Sequence, residues 1–273
     1  MTKLLLIGGC SFSADGNEID SWPKHLYQSL QPAGYAECRN SAKSSQGNGL
    51  ISRGVIYNVT RALETHQPQD ILVGVMWSGS NRHDFRCTDP DLLGFVTKKI
   101  HNNWTENPTG FVKDADKNWV ILNHHWATLG NPEAEAYYRI FYDSIGATIT
   151  SIEHVLRTQW FLKAHGIRYF FSNYIDSYLG TSNELQHTEV KYLYDQIDQS
   201  QYLPVTSEYS WVREQYPTWV EETLKLKGYH NESYHVRKME LLGLTLHPET
   251  EHHKEFTDQV IMLWLQSKGY LPG

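Results

Sequence analysis

The chain has 273 residues, enough to bury one sizeable α/β core, and its 40% apolar and 20% charged residues exclude a disordered tail, a fibrous repeat or a coiled coil. A net charge of −7, with 24 Lys and Arg scattered among 31 Asp and Glu, excludes a basic nucleic-acid footprint. The apolar run Leu4–Ile7 is too short for a membrane span or a signal peptide, and Cys10, Cys38 and Cys87 match no zinc spacing. A cytoplasmic protein with no cofactor, no nucleic-acid partner and no membrane partner is expected.

Thr2–Ile7 reads as a buried parallel strand that ends at Gly8-Gly9. A helix is expected after Ser21, capped by that serine, with Pro23 in its first turn and Leu26 and Leu30 four apart. Tyr35–Cys38 reads as a short second strand. Asn48–His66 reads as a helix carrying Ile51, Val55, Val59 and Leu63, and Pro68 closes it. Ile71–Trp77 is the third strand. Asn131-Pro132 then opens one long helix through Phe141, Ile145, Ile149, Ile152, Leu156 and Trp160, ended by His165-Gly166. Ile167–Phe171 is a strand, and a last helix over His253–Ser267 sets Phe256, Val260, Leu263 and Trp264 on one face. Alternating strands and helices imply an α/β fold whose mainly parallel sheet is covered on both sides, with ligands at the carboxyl ends of the strands.

Two stretches break the alternation, 78–130 and 177–241. The first holds Trp104, Phe111, Trp119 and Trp126; the second holds Tyr202, Tyr209, Trp211, Tyr216 and Trp219. Connections of this length within one domain suit lids or binding elements, and the plain alternative is a secondary core.

Chemistry-bearing residues gather at the predicted strand ends. Gly8-Gly9-Cys10-Ser11 follows the first strand, and its glycines let a serine hydroxyl face a crevice, although small residues there are commonly turn formers. The turn lacks the P-loop lysine and the dinucleotide glycine spacing. Trp77-Ser78-Gly79-Ser80-Asn81-Arg82 follows the third strand, with Gly79 permitting close approach and Asn81 supplying an amide donor. Arg82 suits a substrate carboxylate, or a pair with Asp84. Before the last helix, Pro248 holds His247 extended. His252 and His253 with Glu251 suit a helix cap or solvent; as a metal set with His247 they lack the i, i+4 spacing of a metalloprotease helix.

In this order, Gly9-x-Ser11-Phe12, Asn40-x-Ala42, Gly79-x-Asn81 and His247-Pro248 resemble the blocks of the SGNH hydrolases, the GDSL esterase/lipase superfamily. The texture is most similar to phage and marine-bacterial SGNH-like proteins, which pair a Gly-Cys-Ser-Phe opening with a Trp-Pro, here Trp22-Pro23. The resemblance implies a flavodoxin-like three-layer α/β/α sandwich and a carboxylic ester hydrolase. Ser11 would be the nucleophile and His247 its base. The oxyanion hole would comprise the Ser11 amide, an amide at Ser45 or Gly47, and the Asn81 side chain, with Gly79, Arg82 and Trp77 near the substrate. Activating a serine hydroxyl requires a proton acceptor, and the tetrahedral oxyanion requires preorganised donors.

This sequence departs from the family pattern at three points. Cys10 stands where the Gly-Asp-Ser opening has Asp, the second-block glycine is offset between Ser45 and Gly47, and Leu244 and Thr245 stand where the triad acid belongs. Glu249 and Glu251 are the nearest acids that could be borrowed. A carboxylic ester of a carbohydrate or small metabolite, acetyl or short acyl, is the expected substrate. A noncatalytic ligand-binding protein, an acyltransferase or a metal enzyme are the alternatives.

Overall fold

In a computed structural model of the protein, residues 2–14, 19–86, 119–122, 132–176, 182–226 and 247–271 are described. Three of the strands read from the sequence lie side by side in one parallel sheet: β1 (Lys3–Gly8), β2 (Tyr35–Asn40) and β3 (Ile71–Trp77). A helix joins each strand to the next, α1 (Trp22–Leu30) between β1 and β2 and α2 (Asn48–Ala62) between β2 and β3. Next come the short antiparallel pair β4 (His83–Arg86) and β5 (Trp119–Leu122), then α3 (Pro132–Ile140) and α4 (Ser144–Ala164), and β6 (Arg168–Asn173) completes the sheet.

Sheet order is β2-β1-β3-β6, parallel throughout, with Leu4 opposite Ile71 and Leu72 opposite Arg168. The chain leaves β1 towards one edge and later crosses to the other, so the strand order reverses between β1 and β3. In open α/β sheets the crevice at such a reversal is where ligands sit.

Helices α2 and α4 pack together on one face, with Val55 and Ile51 against Gly8. The opposite face takes α1 and the C-terminal helix, which runs as α-helix over Thr250–Phe256, a π-helical turn over Thr257–Met262 and α-helix over Leu263–Ser267. Trp22 and Trp264 lie against Phe170 on this side, with ring centroids 5.8 and 6.0 Å apart. The result is a three-layer α/β/α sandwich.

Several expectations change. The long helix from Pro132 is two helices, because Asp143 caps a new one by accepting the Gly146 N–H at 2.7 Å. Phe141 at the break and Trp160 further along are exposed rather than core. Ser21 occupies the N-cap of α1, but its hydroxyl makes no capping bond. The aromatic stretch after β6 contains α5 (Ser182–Leu185), α6 (Thr188–Tyr194), α7 (Glu208–Gln215) and α8 (Trp219–Leu226). Its Trp211 and Trp219 are buried in the main core cluster, so this part of the connection extends that core. Trp104, Phe111, Trp126 and Cys87 lie outside the described residues. No helix among the described residues is long and apolar enough to cross a membrane.

Candidate active site

Ser11 is presented by a closed turn at the end of β1. The Ser13 amide donates to the Cys10 carbonyl at 3.0 Å, and further bonds hold the turn and its anchor Asn40 in place. The Trp22 indole N–H donates to Ser13 Oγ at 2.9 Å, the Asn40 side chain donates to the Ser13 carbonyl at 2.7 Å, and Asn40 Oδ1 accepts the Ala42 amide at 3.0 Å. This gives Trp22 and Asn40 a physical role: both fasten the serine turn. Ser11 is half-buried and its hydroxyl has no hydrogen-bond partner among the described residues.

Phe12, fully buried, stacks 4.9 Å from the His247 imidazole and 5.3 Å from the Tyr174 ring. The beginning and the end of the chain therefore meet at the reversal point. His247 itself is exposed and Pro248 is buried, so the proline anchors the segment that brings the ring against Phe12.

The turn after β3 approaches from the other side. Its Arg82 amide donates to the Gly79 carbonyl at 3.2 Å, the Asn81 carbonyl accepts the Tyr138 hydroxyl at 2.7 Å, and the Arg82 guanidinium lies 4.9 Å from the Tyr174 ring centroid. A Cβ at Gly79 would fall 2.7 Å from Asn81 Oδ1 and 3.3 Å from the Tyr174 hydroxyl. Gly79→Ala is thus expected to swing the Asn81 side chain out of place. Trp77 does not belong to this group: it is fully buried and packs 5.3 Å from Phe171, so it is a core residue.

Of the two second-block candidates, the Gly47 amide is committed to Asp84 Oδ1 at 3.0 Å. Ser45 holds a left-handed backbone, φ 64°, and its amide makes no such bond among the described residues. Asp84 also accepts the Leu50 amide at 2.9 Å and so caps α2 from a distant strand. The neighbouring Asn48 pairs both ends of its amide with Ser78, donating to its carbonyl at 2.9 Å and accepting from its N–H at 2.8 Å. These two residues, absent from the sequence-based site, lock the start of α2 to the turn after β3.

Burial pushes Asp84 up to about 6, against the pull of its two amide donors and of Arg53 and Arg82. Burial, then Arg157, Arg53 and His83, pushes His154 on α4 down to about 4. Folding takes up a proton at Asp84 and releases one at His154, so between pH 4 and 6.5 their effects on stability have opposite signs. The Asp84 contribution is present below its unfolded value and lost as pH rises to about 6; the His154 contribution is lost as pH falls from 6.5 to about 4. In Asp84→Asn, stability relative to the natural protein is expected to rise with pH across that window, as read from urea midpoints.

The acids nearest His247 in sequence have other contacts. Glu249 forms a capping box with His252, its carboxylate accepting the His252 amide while the His252 ring accepts the Glu249 amide at 3.1 Å. His253 Nδ1 lies 2.6 Å from Glu208 Oε1, a pair with both side chains buried. His252 and His253 are thereby drawn away from the metal set considered with His247, and no cluster suited to a metal ion occurs among the described residues. Leu244 and Thr245 lie outside the described residues.

No protein-family model matches the chain, and no curated protein matches it. Among solved structures the chain is similar to protein YxiM of Bacillus subtilis, at 14% identity and a TM-score of 0.47, over 98% of this chain and 57% of that one. The chain thus spans little more than half the length of that structure, and the likeness carries no information on activity.

Proposed function

We propose that the protein is a serine esterase of the SGNH type, acting on an acetyl or short acyl ester of a carbohydrate or small metabolite. The observation that carries this reading is the meeting of the Ser11 turn with His247 across Phe12, at 4.9 Å between rings, beside the turn that bears Asn81. A hydroxyl, an imidazole and an amide donor at a strand-order reversal are the set that acyl transfer through serine requires.

In this mechanism the His247 ring takes the proton from Ser11 Oγ as the oxygen bonds to the ester carbonyl carbon. The oxyanion is held by the Ser11 amide, the Ser45 amide and the Asn81 side chain; Ser45 is preferred to Gly47, whose N–H donates to Asp84. Collapse breaks the ester C–O bond, and the alcohol leaves with the proton from His247. A water then gives its proton to the same ring and attacks the acyl carbon, and the ring returns that proton to Ser11 Oγ as its bond to the acyl group breaks. No cofactor enters the chemistry. An alcohol in place of that water would make the protein an acyltransferase.

A noncatalytic ligand-binding role is the second reading, favoured by the engagement of Glu249 in the helix cap. Treatment with a fluorophosphonate probe separates the two. Stoichiometric labelling at Ser11 is expected for the esterase, and an unlabelled, folded protein would overturn it.

A further inference from the structure

The first turn of the C-terminal helix is closed by an acceptor that titrates. Nδ1 of the His252 ring accepts the Glu249 N–H at 3.1 Å, and the Glu249 carboxylate accepts the His252 N–H in return. The usual residue at the position of His252 is Glu or Gln, whose side-chain oxygen keeps its lone pairs. An imidazole nitrogen accepts only while it carries no proton. Accepting at Nδ1 therefore fixes the neutral ring as the tautomer with its proton on Nε2. A second proton would set N–H against N–H, so this bond and the charged ring exclude one another.

The surroundings keep the ring neutral. His252 is buried, 4.4 Å from the Tyr216 ring and 5.3 Å from the Trp219 ring. Burial disfavours the charged form, and so does a place in the first turn of a helix, where the free N–H groups make the potential positive. Glu249, Glu255 and Glu251 on its own helix draw a proton towards it, and His253 opposes one. Tyr216, from the end of α7, is the titratable group packed on it from outside the helix among the described residues. Burial outweighs the carboxylates and holds His252 below the ordinary histidine value.

The Glu249 N–H belongs to the peptide that follows Pro248, and His247 stands one residue further back. The His252 ring thus fixes the plane of the peptide through which the helix sets His247 against Phe12. The rest of the turn has separate ties, the Glu208–His253 pair and Thr250 Oγ1 on the Asp20 amide.

We propose that His252 is a pH-sensitive latch: when its ring takes up a proton, the Glu249 N–H is released and the His247 ring leaves Phe12, while the rest of the helix stays in place. Because the folded value lies below the unfolded one of 6.5, the stability the latch contributes is present above 6.5 and lost as pH falls through the folded value. The latch needs no catalytic role for His247 and stands whether or not the protein is an esterase.

The test is NMR of the full chain, titrated from about pH 7.5 to about pH 4. The His252 ring is expected to titrate below the ordinary histidine value. Protection of the Glu249 amide against exchange, corrected for its intrinsic rate, should fall by about tenfold on the same midpoint. The nuclear Overhauser contact between the Phe12 and His247 rings should be lost with it. In His252→Gln the side-chain oxygen keeps the capping acceptor and does not titrate, so protection and the ring contact should persist across the range. Undiminished Glu249 protection or a retained ring contact below the His252 midpoint overturns the proposal. So does the same loss in His252→Gln, which would assign the change to another group such as the Glu208–His253 pair. Should that variant fail to fold, the natural protein still decides: different midpoints for the His252 ring and the Glu249 amide overturn the latch.

Discussion

Ser11→Ala is expected to lower hydrolysis of a short-chain p-nitrophenyl ester by about 10³–10⁴-fold, with most of the loss in kcat. In the proposed mechanism the substitution removes the attacking atom and little else. The bonds that hold the turn run through Ser13, Asn40 and Trp22, and the Ser11 hydroxyl takes no part in them. Its removal should therefore leave the urea midpoint within about 0.5 kcal/mol of the natural value, as for a half-exposed side chain without partners. The proposed oxyanion donors, the amides of Ser11 and Ser45 and the Asn81 side chain, survive, so a residual rate above water is expected. A variant that hydrolyses ester at the original rate would remove Ser11 from the chemistry. Cys10 would not inherit the role, because it is fully buried beside Arg82.

The parts legible in the sequence are those where the physics is local. β1 and β3 are uninterrupted apolar runs that end in small polar residues, and both run within a residue of their expected limits. Their turns carried the candidate serine and asparagine because the ends of buried strands are where such side chains reach a crevice. Local periodicity misled where a cap or a change of helical phase intervenes. Apolar spacing runs on past Phe141, but the Asp143 side chain satisfies the first amide of a new helix, and periodicity alone does not detect that. In the last helix the π turn over Thr257–Met262 adds a residue to the repeat. That shift turns Leu263 outward at 58% exposure and brings Ile261 and Leu265 into the core, against the stripe read at constant period. Pairings between distant residues left no local trace at all. Asp84 reaching the α2 amides and Glu208 reaching His253 join segments 34 to 45 residues apart, and neither follows from any spacing rule.

Glu208→Ala is expected to cost about 3–5 kcal/mol of stability, the largest single-residue loss argued for this fold. Glu208 is fully buried at the start of α7, and its Oε1 lies 2.6 Å from Nδ1 of the equally buried His253. Its second oxygen has no partner, and burial raises its pKa above the ordinary glutamate value in spite of His253. Truncation would leave the imidazole in an apolar enclosure with nothing to bond, and a void beside Trp211 and Phe256, whose rings meet at 5.5 Å. Glu208→Gln keeps an acceptor and the volume, so its loss should be about 1–2 kcal/mol. The consequence reaches the proposed base through the first turn of the C-terminal helix, which follows directly on His247 and Pro248. That turn is held by the Glu208–His253 pair and by Thr250 Oγ1 accepting the Asp20 amide at 3.1 Å, and further along the helix Thr257 Oγ1 donates to the Trp22 carbonyl at 3.3 Å. With the pair removed, His247 loses the support that sets its ring against Phe12. Urea denaturation and ester turnover should therefore fall together in Glu208→Ala, whereas Ser11→Ala loses turnover alone. If Glu208→Ala were as stable as the natural protein, the pair would have no share in holding the helix that carries His247.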